Sequence, residues 1–435
     1  MHKILISSLL ISILIGLGTF HSQDTCLTSL KLGISFPPVE SVSERMFAKT
    51  HLDTLGVNKI RFAENWAFRE PTQGEFNWSP LDDRINWAYN NNYEILLTIQ
   101  SNAPTWACST VQNEQSCVFN DNNDFKTYID SLLQRHSGKI AKIQFGNEWQ
   151  SDFWYAGNAE DYIAANNVLY HSVQMNSPST EVVLGGFTTI SLRFLAACNG
   201  YVSSFYDDDG IYYDSIFFIS NCNTPSIQNI KNRIDSVLQF AQYDLLDLHL
   251  YDDVEQWDEY YLNFSESISK PIIVSEFGGP NMNYEPYTEE YQANRLFQYI
   301  KKLDSLQIQE AYFFKLIEGT SNPAHSTSAL ISDTTLIVKS AYNVFQSFNE
   351  CQNSLLKNGS NENVHFYPNP TTQSLTIKFR QEHLMEKQIQ IYNSLGILVK
   401  TDDSIDISKE IDVSELSNGF YFIRVNNQSY KFLKL

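Results

Sequence analysis

Two glutamates stand directly after short apolar runs, where a buried carboxylate is costly unless it has a partner or a function. Glu148 follows the run 140–145 in the sequence Gly-Asn-Glu-Trp, and Glu276 directly follows the run 272–275. Two carboxylates on opposite sides of an acetal can divide the work of displacement. One attacks the carbon, while the other protonates the leaving oxygen and later deprotonates water. These glutamates are therefore the first candidate catalytic residues.

The pattern around the glutamates predicts an α/β fold, a (β/α)8 barrel with helices outside eight parallel strands. Apolar runs of strand length alternate with amphipathic helical stretches, and such barrels carry their catalytic residues at the carboxyl ends of the strands. The glutamates end the fourth and seventh predicted strands, which lie across the barrel from each other. The predicted strands are Lys31–Phe36, Lys59–Phe62, Ile95–Ile99, Ile140–Phe145, Val182–Gly185, Leu245–Leu250, Ile272–Ser275 and Ala311–Leu316.

Two carboxyls with different roles need different pKa values, and their neighbours supply a means. Arg61 ends the second predicted strand, and its guanidinium would hold Glu276 ionised as a nucleophile. Trp149 would give Glu148 a drier setting in which that carboxyl keeps its proton. The sequence thus predicts a nucleophile and an acid/base whose carboxyls lie about 5 to 5.5 Å apart.

The strand ends resemble those of the clan A retaining glycoside hydrolases over about residues 24–350, with family 5 as the nearest pattern. Asn147 and Glu148 are similar to the clan's asparagine and acid/base pair, which implies that Asn147 binds the sugar 2-hydroxyl. Glu276 is similar to the clan's nucleophile. His249-Leu250-Tyr251 resembles the His-x-Tyr of family 5, which implies a hydrogen bond from Tyr251 to the nucleophile.

Other strand ends fit the clan better than family 5. Arg61 is similar to the arginine on the clan's second strand. The stretch Tyr312–Leu316 of the eighth predicted strand lacks the clan's usual tryptophan, and Gln100–Asn102 stand where family 5 carries a histidine. The segments around Trp66 and Trp106 look more like clan families that include β-xylosidases and β-galactosidases. The resemblance therefore implies the clan and leaves the family open.

Aromatic and basic residues near the strand ends are candidate sugar contacts. Aromatic rings stack on the apolar faces of sugars, although each tryptophan could equally be core packing. Lys315 could recognise the carboxylate or sulfate of an acidic sugar, or form a salt bridge to Glu318 or another acid. His249 could likewise be a satisfied core histidine. The candidate substrate-binding residues are Asn147, Arg61, His249, Tyr251, Trp66, Trp106, Trp149 and Lys315.

The charge balance excludes several classes of partner. The 435 residues include 30 Lys or Arg and 50 Asp or Glu, which gives a net charge of −20. Nucleic-acid phosphates and anionic lipid surfaces repel such a chain. The sequence carries no zinc-protease, nucleotide-binding or serine-hydrolase motif. We expect a monomer that acts on carbohydrate and requires no cofactor or metal.

Composition divides the chain into a leader, a large domain and a small one. Lys3 and the following apolar run predict a secretory signal peptide over residues 1–23, without stable membrane insertion. Residues 24–352 would form the barrel, and the polar stretch 353–363 would be a linker. Residues 364–435 contain short alternating runs separated by turn signals, which predict a small β-sandwich.

The tail also resembles a type IX secretion sorting domain. The motifs Phe366–Pro370, Ile391–Gly396 and Leu416–Tyr421 occur in that order before the basic end Lys431–Leu435. The resemblance implies that secretion machinery recognises the tail. It implies a protein that crosses the periplasm and is then secreted or attached to the cell surface. An accessory domain that binds glycan is the alternative.

Six cysteines fit an oxidising compartment. Six cysteines allow 15 connectivities. Short loops favour bridges from Cys108 to Cys117 and from Cys198 to Cys222. The remaining pair, Cys26 and Cys351, would join the start of the barrel domain to its end.

Taken together, these patterns predict a secreted retaining β-glycoside hydrolase that acts on a plant or algal polysaccharide or its oligosaccharides. Two alternatives stay open, a carbohydrate-binding barrel without catalysis and a transglycosylase that uses the same residues. The sugar, the linkage and the choice between endo and exo cleavage depend on loops such as 191–230.

Overall fold

The computed structural model divides the chain into two compact units, residues 1–352 and 353–435. The predicted signal peptide, 1–23, lies outside the described residues. The helix Ser340–Asn358 extends into the segment predicted as a linker, because no glycine or proline interrupts the chain before Gly359. The structure describes residues 27, 29–281, 287–319, 325–358, 364–369, 371–379, 389–393, 398–402, 408–425 and 428–434.

The first unit alternates strands with helices. A 3-10 helix spans Val254–Gln256. The strands are β1 (Lys31–Ser35), β2 (Lys59–Glu64), β3 (Glu94–Ile99), β4 (Cys108–Gln112), β5 (Cys117–Phe119), β6 (Lys142–Phe145), β7 (Glu181–Val183), β8 (Phe205–Tyr206), β9 (Tyr212–Tyr213), β10 (Leu246–Tyr251), β11 (Ile272–Gly278) and β12 (Glu310–Phe313). The helices are α1 (Val42–Leu55), α2 (Trp66–Arg69), α3 (Ser79–Asn90), α4 (Asn122–Arg135), α5 (Ala159–Asn176), α6 (Thr189–Cys198), α7 (Ser215–Asn221), α8 (Pro225–Phe240), α9 (Trp257–Ser265), α10 (Glu289–Ser305) and α11 (Ser340–Asn358).

Eight of these strands form one parallel sheet in the order β10-β11-β12-β1-β2-β3-β6-β7. Bridges from Val183 to Leu245 and from Phe187 to Leu248 join the two edge strands, so the sheet closes on itself. The predicted (β/α)8 barrel is confirmed, and each predicted strand overlaps one of its strands. The strands β10 and β11 are buried along their whole length, as expected for strands covered on both faces.

The amino end of the barrel interior is filled by an ion-pair cluster. Glu310 Oε1 accepts hydrogen bonds from Lys59 Nζ at 3.1 Å and Lys142 Nζ at 3.0 Å. The Tyr312 hydroxyl donates to Glu310 Oε2 at 3.1 Å. Gly33 gives the Tyr312 ring room, because a Cβ at position 33 would lie 2.5 Å from that ring. Charges at this end are paired, which leaves the carboxyl end of the strands for the site.

Two of the three predicted disulfides are present. Cys108 and Cys117 join β4 to β5, with Cα atoms 5.6 Å apart. Cys198 and Cys222 close the segment between the ends of α6 and α7, with Cα atoms 5.4 Å apart. The third prediction involves Cys26 and the side chain of Cys351, which lie outside the described residues.

The second unit consists of two small antiparallel sheets, as the alternating runs predict. One sheet has the order β13-β14-β17 and the other β16-β15-β18-β19. Their facing side chains, among them Leu375, Ile391 and Ile423, form a separate buried core. None of the described helices in either unit is long and apolar enough to cross a membrane. The strands are β13 (Val364–Tyr367), β14 (Ser374–Phe379), β15 (Ile389–Asn393), β16 (Leu398–Asp402), β17 (Ser408–Asp412), β18 (Gly419–Val425) and β19 (Gln428–Lys434).

Replacement of Glu64 should strongly destabilise the barrel. Its carboxylate is fully buried at the end of β2 and pairs with both Arg69 and Arg84. We expect Glu64→Gln to lower the free energy of unfolding by about 3 to 5 kcal/mol, because Arg69 and Arg84 both lose a buried counter-charge and Arg84 keeps a pair with the exposed Glu40. Urea unfolding of the disulfide-intact protein measures the loss.

The matched control for Glu64→Gln is an exposed ion pair. Lys49 Nζ lies 2.7 Å from Asp53 Oδ2 on the surface of α1. Lys49→Gln should cost less than about 1 kcal/mol, because water already solvates both charges. Equal losses in the two variants would contradict the importance of the buried cluster.

Candidate active site

The two glutamates meet at the carboxyl end of the barrel. Glu148 follows β6, with a side chain 17% exposed and a left-handed backbone conformation at φ 48°. Glu276 is buried and lies within β11, which continues three residues past the predicted strand end. Ligand atoms of Glu148, Glu276 and His249 all lie within 4.8 Å of one another. The site therefore contains two carboxylates separated by less than the width of a sugar ring.

Glu276 is held by hydrogen bonds from two neighbours. Arg61 donates to its Oε1 at 2.5 Å, and the Tyr251 hydroxyl donates to its Oε2 at 2.7 Å. Burial by itself would raise the pKa of this carboxyl, but the charges of His249 and Arg61 outweigh burial and hold its pKa at about 2. Glu276 is therefore an ionised carboxylate with fixed orientation.

Arg61 is fully buried, and its donors are used by the protein. Its Nε donates to Thr98 Oγ1 at 3.0 Å, and its second terminal nitrogen donates to Gln144 Oε1 at 2.9 Å and Asn147 Oδ1 at 2.8 Å. Arg61 thus positions Glu276 and Asn147 from behind. The side-chain oxygen of Asn147 is taken, so its NH2 group is the part that can meet a ligand.

His249 lies between the two glutamates. Its Nδ1 is 2.8 Å from Glu148 Oε1 and 3.8 Å from Glu276 Oε2, while its Nε2 is 3.1 Å from Ser275 Oγ. Burial would lower the pKa of His249, but Glu276, Asp247 and Glu148 together raise it to about 10. The three acidic side chains therefore favour the protonated form of the imidazole, although the ring is fully buried.

Two of the three predicted tryptophan contacts are wrong. Trp66 and Trp149 are fully buried. The Trp66 ring stacks on Tyr128 with centroids 5.4 Å apart. The Trp149 ring stacks on Tyr162, and its Nε1 donates to a backbone oxygen, so the contact of Glu148 is His249 instead. Both rings turn towards the layer between sheet and helices and offer no surface to a sugar.

The remaining tryptophan lies at the edge of the same cluster. Trp106 is half-buried, and its ring meets Trp66 edge-on with centroids 5.7 Å apart. Its Nε1 donates to the Glu70 backbone oxygen at 3.0 Å. A partly accessible ring held in place in this way stays a candidate sugar contact.

An aromatic wall that the sequence did not single out lies beside Glu276. The wall consists of Phe36, Phe314 and His325, which are half-buried. His325 lies 4.3 Å from Tyr251 between ring centroids, and Phe314 lies 6.2 Å from it. Phe36 meets Phe314 edge-on at 6.3 Å. Phe314 directly follows β12, the position where the clan usually carries tryptophan, which is the signal that would have found it.

Lys315 neighbours this wall but not the predicted acid. Glu318 pairs with Lys339, so the predicted salt bridge from Lys315 to Glu318 is wrong. Lys315 is half-buried, and its Nζ donates to the Gly319 backbone oxygen at 3.0 Å. Burial lowers the pKa of Lys315. Binding of an acidic sugar by Lys315 stays a prediction.

The three residues at the centre also have the donor types of a metal site. Glu148, His249 and Glu276 are the cluster of this kind among the described residues. The buried guanidinium of Arg61 at 2.5 Å from Glu276 already supplies positive charge there. The raised pKa of His249 also keeps a proton on the ring, which competes with a metal ion for that ligand. The arrangement suits acid/base and nucleophilic chemistry better than metal binding.

Different known proteins match the two units of the chain. Residues 365–434 match the family described as the secretion system C-terminal sorting domain. The tail is a sorting domain. The chain is 25% identical over 179 residues to an endo-1,4-β-xylanase 1 from Gibberella zeae, a match that covers 40% of this chain and 44% of the relative. The chain therefore matches less than half the length of that curated relative.

Solved structures show the likeness of fold. The exo-β-1,4-mannosidase from Opitutaceae bacterium strain TAV5 aligns with a TM-score of 0.51 and 14% identity, over 75% of this chain and 60% of that one. A glucosidase from Croceicoccus marinus aligns with a TM-score of 0.52 and 10% identity, over 87% of this chain and 92% of that one. The chain shares the barrel fold of these glycosidases.

Gly186 is required by the position of His249. A Cβ at position 186 would lie 2.0 Å from His249 Nε2. We expect Gly186→Ala to displace the imidazole from Glu148 and to lower the free energy of unfolding by about 1 to 3 kcal/mol, because the site is already filled. Urea unfolding and a crystal structure of the variant measure both effects. Combined with His249→Ala, the substitution should cost less than the two single changes summed, and strict additivity would contradict the clash.

Proposed function

We propose that this protein is an exported retaining β-glycoside hydrolase in which Glu276 is the nucleophile and Glu148 is the acid/base. The observation that carries the proposal is the close approach of the two carboxylates, with ligand atoms within 4.8 Å. Retaining enzymes need carboxyl groups about 5 to 5.5 Å apart, whereas inverting enzymes need about 6.5 to 9.5 Å to admit a water. The separation therefore supports double displacement.

In the first step, Glu276 attacks the anomeric carbon while Glu148 gives its proton to the leaving oxygen. The carbon–oxygen bond to the leaving group breaks as the ester bond to Glu276 forms. The hydrogen bonds from Arg61 and Tyr251 keep the attacking carboxylate ionised and aimed. The NH2 group of Asn147 is free of Arg61 and would donate to the sugar 2-hydroxyl.

In the second step, Glu148 is a carboxylate and takes a proton from water. The oxygen of this water attacks the anomeric carbon, and the ester bond to Glu276 breaks. Glu148 regains its proton, so one water molecule is consumed for each bond cleaved. While the intermediate exists Glu276 carries no charge, which favours the ionised form of Glu148 that acts as the base.

The aromatic wall and the names of similar proteins support a substrate class. Phe36 and Phe314 offer half-buried rings beside Glu276, and aromatic rings stack on the apolar faces of sugars. Relatives in sequence and fold carry the names xylanase, mannosidase and glucosidase. We therefore assign β-linked plant or algal polysaccharides or their oligosaccharides as substrates. The sorting domain would be recognised by type IX secretion machinery and would bring the enzyme to the cell surface or beyond it.

Substitution of the glutamates separates their roles. Glu148→Ala and Glu276→Ala should each lower kcat/KM for a natural oligosaccharide by more than about 100-fold, because general acid/base or nucleophilic catalysis is lost. Azide should restore turnover of an activated aryl glycoside by Glu148→Ala as a β-glycosyl azide, since the small anion replaces the base-activated water. Glu160→Gln, an exposed acid on α5, is the matched control and should leave turnover unchanged. Full activity of either alanine variant would exclude the assigned roles.

The anomeric configuration of the first product tests the mechanism itself. Two inversions at one carbon give net retention, so hydrolysis of a β-glycoside should release the β-anomer first. Proton NMR during the first minutes of the reaction detects this anomer before it mutarotates. Initial release of the α-anomer would contradict double displacement. Longer oligosaccharides among the products would identify the transglycosylase alternative.

A further inference from the structure

Asp247 is a buried carboxylate that the proposed mechanism does not use. It precedes His249 by two residues in β10, so both side chains point to the same face of the strand. Its Oδ1 accepts from the Ser275 backbone N–H at 2.7 Å. Its Oδ2 accepts from the Ser275 hydroxyl at 2.5 Å and from Gln144 Nε2 at 2.6 Å. Asp247 is fully buried, and these bonds satisfy its charge.

The direction of these hydrogen bonds determines which nitrogen of His249 carries a proton. The single hydroxyl hydrogen of Ser275 is donated to Asp247, because a carboxylate can only accept. The Ser275 oxygen, 3.1 Å from His249 Nε2, must then accept. Nε2 therefore carries hydrogen, and Nδ1 is the nitrogen that faces Glu148 at 2.8 Å.

We propose that Asp247 is a positioning residue which, acting through Ser275, keeps His249 protonated on Nε2 and turns Nδ1 towards the acid/base Glu148. The inference rests on the proposed function of Glu148. It adds a hydrogen-bond chain of three residues behind that carboxyl, namely Asp247, Ser275 and His249.

The chain matters at the moment when Glu148 loses its proton to the leaving oxygen. A carboxylate then forms 2.8 Å from Nδ1 of a cationic imidazole, and a hydrogen bond to a charged group is roughly twice as strong as a neutral one. The charged groups that face His249 are Glu148, Glu276 and Asp247. The positive charge of Arg61, beyond Glu276, disfavours a second positive charge on His249. The negative charge of Asp247 behind the ring is therefore needed to keep His249 protonated.

Asp247→Asn should reverse the donor and acceptor roles in the hydrogen bonds that link residues 247, 275 and 249. At the Oδ2 position the new amide nitrogen gives up the hydrogen bond from Gln144 and donates to the Ser275 oxygen, which frees the hydroxyl hydrogen to point at Nε2. Nε2 must then accept, so the ring becomes neutral with its hydrogen on Nδ1. Glu148 would lose the cation that stabilises its conjugate base, and protonation of the leaving group would become less favourable.

Leaving-group dependence provides the kinetic test. On aryl glycosides of the sugar that the wild type cleaves fastest, Asp247→Asn should lose roughly 10- to 100-fold in kcat/KM when the leaving group is poor, because general acid catalysis is impaired. The loss should stay below about threefold for a dinitrophenyl glycoside, whose leaving group needs no proton. Ser275→Ala should show the same pattern and decides the matter if Asp247→Asn does not fold.

Glu310→Gln is the matched control, since Glu310 is an acid of the barrel interior at the opposite end from the site. It should change all substrates by the same factor. An equal loss for every leaving group in both Asp247→Asn and Ser275→Ala would overturn the proposal.

A spectroscopic readout decides the proposal even if no glycoside is cleaved. Nitrogen NMR of the histidine side chains, with His249 assigned by its absence from His249→Asn, should show Nε2 protonated in the wild type. In Asp247→Asn, Nε2 should lose its hydrogen while Nδ1 keeps its own. An unprotonated Nε2 in the wild type would overturn the inference. Absence of turnover by the wild type would overturn the proposed function, while the NMR result still tests the chain.

Discussion

The geometry of the site depends on one buried cation. A guanidinium that is removed from water costs free energy unless its donors find acceptors, and those of Arg61 reach Thr98, Gln144 and Glu276. Together with Arg61 these residues belong to four strands of the barrel, so the sheet itself fixes the direction of the Glu276 carboxylate. A site built on strands is held more precisely than one built on loops.

Charges of opposite sign alternate across the carboxyl end of the barrel. Asp247 lies behind His249, His249 lies between the two glutamates, and Glu276 faces Arg61. Each buried charge is therefore stabilised by the next one, and removal of any one leaves its neighbours unpaired. This alternation explains how a carboxylate can remain ionised within a strand that is buried throughout.

The sequence predicted the barrel and its central residues well, because apolar runs mark buried strands and the candidate glutamates terminate two of them. Its errors concern side-chain direction. Trp66 and Trp149 follow strands, but a run of apolar residues does not reveal whether the next ring points to the mouth or to the helices. The segment 246–251 also carries a second pattern. Its leucines alternate with Asp247, His249 and Tyr251, so period-two spacing already placed these three polar residues on the inner face.

The ion-pair cluster of Lys59, Lys142 and Glu310 at the far end of the barrel separates folding from recognition. This cluster closes the barrel interior without contacts from the loops at the carboxyl end of the strands. Those loops can therefore vary in sequence with little loss of stability in the barrel. Exchange of rim segments between barrels of this kind is thus a rational route to altered ligand preference. The barrel would tolerate such an exchange because its stability does not depend on these loops.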